Sequence, residues 1–219
     1  MNKQIKEQRA ESRDGGFTII ELMISTAVFS VVLLLCAMAI VQVGQMFYKG
    51  VTINRTQDTA RRTVDDIVQA IQFGVVSGSF YQTSAPVLIN GVTVNTLCLG
   101  EVRYSYVTDR SLGSSSSQAK HVLWRDRISG SGTCTPQDLT LTTPSAGGQE
   151  MVGDNMRVPI LSVTAPTSPN TIWNVSVTIA YGDNSDIFTD STYTKCVGSN
   201  VGGQFCAVSA INTNVVKRL

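Results

Sequence analysis

Glu21 stands at the head of a stretch that carries no other charge. From Leu22 to Val41 there are 20 residues, and the only polar ones are Ser25, Thr26 and Ser30. An ionised carboxylate beside so apolar a run is costly unless it finds a counter-charge or reaches water, so Glu21 is a candidate functional residue. The small pair Gly15-Gly16 and the aromatic Phe17 lie just before it. Elsewhere the inventory is thin. The one histidine, His121, falls in a strand-like pattern and reads as a surface or packing residue. No serine, histidine and aspartate occur in an order with supporting turns, and the phosphate-cradling Gly-x-x-x-x-Gly-Lys-Ser/Thr is absent. Asp183, Asp186 and Asp190 could face a hard cation, but their spacing fits no calcium loop and a solvated polar turn explains them better. No catalytic residue, cofactor or metal is expected.

The elements around Glu21 follow from composition. Twenty residues at about 1.5 Å rise cover roughly the 30 Å hydrocarbon core of a bilayer. The first 16 residues carry Lys3, Lys6, Arg9 and Arg13, whereas only Lys49 and Arg55 follow the apolar run closely. That bias keeps the N-terminus cytoplasmic and sends the remainder across. The run is too long for a cleaved secretory signal, and its small pair precedes the apolar core where such a signal has it after. A plain anchor accounts for the run but leaves Glu21 and the Gly-Gly/Phe junction unexplained.

Beyond the span, Val64, Ile67, Val68 and Ile71 recur at helical spacing, with Gly74 as a C-cap. One helix from Phe17 to Phe73 would be roughly 85 Å long. From about Ser77 onward, short alternating runs take over. Val87–Val94 reads as a hairpin turning at Asn90-Gly91. Residues 102–107, 121–125, 156–164 and 171–181 read as further strands, with 111–118 and 129–149 as loops. The expected fold class is α+β: a long N-terminal helix packed on an antiparallel sheet, the Val64–Ile71 stripe covering the sheet's apolar face.

At Gly16-Phe17-Thr18-Ile19-Ile20-Glu21-Leu22 the sequence resembles the class III signal of type IV pilins and of type II secretion pseudopilins. The match is strong from residue 15 to about 47 and looser to Phe73. It implies that a prepilin peptidase cuts between Gly16 and Phe17 and methylates the new amine of Phe17. It makes Glu21 the residue that pairs with the Phe17 amine of a neighbouring subunit and sets its register; the alternative is that Glu21 only reaches for the interface. The resemblance implies a cleaved leader (1–16), a span or filament-core segment (17–47), its amphipathic continuation (48–76) and a β-rich head (77–219). It departs at Gly15, where many members carry Lys or Arg. Met38 and Ser30 also stand where many major pilins carry a helix-kinking Pro and a Gly. With neither, the helix should be straighter, which favours a minor pilin or pseudopilin. The strand pair 104–106 and 123–125 loosely resembles larger minor pilins of the J or W type.

Five cysteines remain. Cys36 lies in the span. Cys98, Cys134, Cys196 and Cys206 form an even set on the translocated, oxidising side, where two disulfides can pair in three ways. Cys196–Cys206, which closes a short glycine-containing loop, together with Cys98–Cys134 is the favoured pairing; zinc lacks a Cys-x-x-Cys. Removing the leader takes four basic and three acidic groups from 17 and 16, leaving thirteen of each. A neutral chain has no global footprint for nucleic acid, and none is expected as a partner. The resemblance gives as partners the prepilin peptidase, other major and minor pilins, an inner-membrane assembly platform and the lipid bilayer. It places the chain first in the bacterial inner membrane and later in a periplasmic or surface filament. The expected role is a minor pilin that primes assembly or caps a pilus, the alternatives being a pseudopilin or a filament-borne adhesin whose head loops bind a surface or DNA.

Overall fold

The computed structural model describes residues 16–74, 81–108, 110–113, 119–128, 133–167, 171–182, 188–189, 192–197 and 203–218. The chain divides into two compact units at Gly44/Gln45. Helix α1 (Ile19–Phe73) contributes to both. It starts two residues later than expected, because Phe17 and Thr18 lie ahead of the first turn.

In the first unit α1 is apolar, long enough to cross a membrane, and not buried by the protein itself. Its hydroxyls bond inward: Thr26 Oγ1 donates to the Met23 carbonyl (3.0 Å) and Ser30 Oγ to the Thr26 carbonyl (2.8 Å). Polar side chains satisfied within their own helix can lie in an apolar environment at little cost.

In the second unit Thr52, Thr56 and Thr63 repeat this back-bonding and are buried with Ala60, Val64, Ile67, Ala70 and Ile71. This stripe packs on two antiparallel sheets, where a single sheet was expected. The first has the order β1 (Tyr81–Ile89), β2 (Val92–Leu99), β3 (Val102–Tyr106), β4 (Leu123–Arg127), β5 (Gln149–Glu150). The second has the order β6 (Met156–Thr164), β7 (Ile172–Tyr181), β8 (Ala207–Val216). The β1–β2 turn is Asn90-Gly91, both at positive φ, as a tight hairpin requires. Strand β8 was not expected. Its inward set mixes Ala207, Ile211 and Val215 with Ser209 and Thr213, while Val208, Ala210 and Val216 sit on the other face, so it lacks the apolar alternation that marks a strand.

Alternation along the strands sends two sets of side chains to two cores. Leu97, Leu99, Tyr104 and Leu123 join α1, Val158, Leu161, Val175, Val177 and Ile179 in the main one. Their neighbours Val92, Val94 and Trp124 face the other way, where Val107, Ala119 and Leu139 cover them. The stretch expected to be a loop (129–149) is therefore partly a strap across the first sheet. It is pinned by Cys98–Cys134, by Gln137 N–H to Ser105 Oγ (3.1 Å), and by the buried Arg103. That guanidinium donates from Nε to Asp126 Oδ1 (2.9 Å), from Nη2 to Asp126 Oδ2, and from Nη1 to the Thr135 carbonyl (2.9 Å).

Asp66 couples helix to sheet by accepting the Tyr104 hydroxyl (2.6 Å) and Arg125 Nε (2.9 Å). His121 fills a packing position: its ring lies 4.4 Å from that of Trp124, with Nδ1 3.1 Å from Glu150 and Nε2 3.1 Å from the Thr142 carbonyl. The second disulfide, Cys196–Cys206, closes a segment that meets Ala180 and Val208 on the second sheet. Arg157 extends from β6 against Phe188 and Tyr193, which precede that segment in the chain.

Candidate functional site

Gly16, Phe17 and Glu21, the residues from which processing and assembly are expected, lie at or just before the start of α1. Gly16 and Phe17 are exposed and outside the helix. The bond between them is thus non-helical. An added Cβ at Gly16 would meet no atom within 4 Å. Thr18 is the N-cap. The Glu21 amide donates to Thr18 Oγ1 (3.3 Å), while Glu21 Oε2 accepts the Thr18 amide (3.1 Å) and hydroxyl (2.9 Å). This reciprocal pair is a capping box, and it satisfies donors that a helix start leaves open.

The box also fixes where the carboxylate points. Oε2 is committed to the chain's own first turn, where the helix dipole favours negative charge. Oε1 has no hydrogen bond among the described residues. A capped carboxylate with one oxygen open can accept a second charged donor without losing its first contacts. Thr18 is signalled in the sequence only by Ser/Thr-x-x-Glu directly before an apolar run, a pattern that the charge of Glu21 overshadows.

Residues 12–37 match the model of the prokaryotic N-terminal methylation motif. No curated protein and no solved structure matches the chain. The methylation motif spans Gly16, Phe17, Thr18 and Glu21, and it ends within the apolar part of α1. It makes the chain pilin- or pseudopilin-like at its N-terminus, and together with the apolar helix it fits membrane anchoring. Residues 1–15, including Gly15, lie outside the described residues, as do Asp183, Asp186 and Asp190. Among the described residues no cluster of His, Cys, Asp and Glu is arranged to hold a metal ion. Cys36 is a free, exposed thiol within α1.

Proposed function

We propose that the chain is a structural, minor pilin-like subunit of a type IV pilus, cut and N-methylated by a prepilin peptidase at Gly16/Phe17. The observation that carries this reading is the methylation motif over residues 12–37, with its capped Glu21 at the head of an uninterrupted apolar helix. In this role the first 16 residues stay cytoplasmic and the apolar half of α1 holds the subunit in the inner membrane. The same half then joins other pilins as part of a filament core. Glu21 Oε1 receives the methylated Phe17 amine of a neighbouring subunit, which sets the axial register. The absence of Pro and Gly at Met38 and Ser30 supports a priming or capping subunit over a bulk one. No catalytic step belongs to this role.

Intact mass and N-terminal sequencing of protein from its native membrane test the reading. The expected chain begins at N-methyl-Phe17 and retains two disulfides. A chain beginning at Met1 removes filament incorporation. Glu21→Ala should be processed normally and fail to enter filaments; normal incorporation of this variant would remove the register role.

A further inference from the structure

The two sheets have four edges, and three of them are closed to further pairing. Strand β1 loses register between Ser84 and Val87, at Pro86. Strand β6 does the same between Arg157 and Ile160, at Pro159. Strand β5 is only two residues long. Bulges, prolines and short strands are how proteins blunt an edge. The fourth edge, β8, has none of these. It pairs with β7 in an unbroken register from Tyr181↔Ala207 to Ile172↔Val216. Its ten residues, Ala-Val-Ser-Ala-Ile-Asn-Thr-Asn-Val-Val, include no proline, glycine or charge. No strand pairs with its outer side among the described residues. Half of its backbone donors and acceptors point away from β7, a template about 33 Å long.

We infer that the outer edge of β8 is a strand-addition site for an extended, uncharged peptide segment of a partner protein, with an acidic group at its N-terminal end. The charge pattern selects that occupant. The edge is neutral along its length and ends at the exposed Arg218, whose guanidinium also lies over the Phe73 ring. In the stronger, antiparallel mode of pairing, the incoming strand starts opposite that cation. Outward side chains Ala210, Asn212 and Asn214 are small and exposed, which leaves room for a neighbouring strand of any β-branched or small residues.

A second copy fits less well. Tyr48 meets Phe205 just before β8 and Phe73 meets Arg218 just after it, so β8 runs beside the second half of α1 in the same direction. Antiparallel pairing of two β8 strands would therefore set the helical stretches of the two heads in opposite directions. A copy's other long edges carry the bulges at Pro86 and Pro159.

The test uses the full chain in nanodiscs and a labelled, acetylated probe peptide, Glu-(Thr-Val)4-Thr. Binding is read by anisotropy and by amide exchange. The expected result is saturable binding with exchange protection confined to residues 207–216. Methylating alternate amide nitrogens of the probe, or replacing its Glu by Lys, should weaken binding about tenfold or more. Consecutive residues of a strand point their N–H groups to opposite sides, so of Asn212→Pro and Thr213→Pro one leaves the β7 ladder intact. That variant should keep the unfolding midpoint and lose the probe. The inference is overturned if β8 gains no protection, if the N-methylated probe binds equally well, or if the chain dimerises through β8 without peptide. Each of these outcomes leaves cleavage at Gly16 and the Glu21 role untouched.

Discussion

Thr18 does two things with one hydroxyl: it caps α1 and it aims Glu21. Thr18→Ala removes the hydroxyl from both hydrogen bonds and should cost the first turn about 1 kcal/mol, with Thr18→Ser restoring most of it. Amide exchange at Glu21 and Leu22 in micelles would read the loss as faster exchange in the alanine variant alone. A second residue-scale expectation concerns the tyrosines of the main core. Burial, and then the adjacent Asp66 carboxylate, raise the Tyr104 hydroxyl well above the ordinary value of 10.0, and burial raises Tyr106. A group whose folded value is raised contributes stability that is fully present below the unfolded value and is lost as pH climbs past it. Unfolding should therefore become easier above about pH 10. Phenolate absorbance should show Tyr104 and Tyr106 ionising only as the head opens. Tyr104→Phe should flatten the alkaline decline, and an unchanged slope would mean that other groups govern it.

At the scale of elements, the strap over the first sheet is the least obvious part of the fold and the most open to test. Arg103→Met leaves the Asp126 carboxylate buried without its counter-charge, with only the Gln137 side-chain amide still donating to it, a change that costs on the order of 3–5 kcal/mol. Pairing it with Asp126→Leu should recover most of that loss, because two apolar side chains then replace an ion pair. Denaturant melts of the single and double variants measure the difference. The two disulfides should contribute unequally. They join residues 36 and 10 apart, for which the chain-entropy relation gives about 4 and about 3 kcal/mol. Cys98→Ser/Cys134→Ser should accordingly unfold at lower denaturant than Cys196→Ser/Cys206→Ser, and a reversed order would show that the strap holds without its sulfur link.

For the whole molecule, every residue of the described cores lies between Ala60 and Val215. A chain beginning at Gln45 should consequently keep the near-ultraviolet circular dichroism of the full-length protein, and loss of that signal would tie the head's packing to its anchor. Legibility followed local signals. Asn90-Gly91 announced its hairpin, the Val64–Ile71 spacing announced a buried helical face, and the span was visible from composition. What stayed hidden depends on contacts distant in sequence. Gln137 and Leu139 look like loop residues until Ser105 and the second core lie beneath them. Strand β8 mixes apolar and polar residues on both faces and stands out only once β7 gives each of its residues a partner. The division into two sheets follows from chain reversals that no single stretch encodes.

The unbroken course of α1 has a mechanical consequence. A residue pulled from helix to extended chain lengthens it by about 2 Å, and helices first give way where a proline or a cluster of glycines has weakened the ladder. Between Ile19 and Phe73 there is no proline, and the two glycines, Gly44 and Gly50, lie outside the span from Leu22 to Val41. Under axial load that span has no preferred place to yield, so it should carry tension at nearly constant length, as a strut does, instead of paying out slack as a spring.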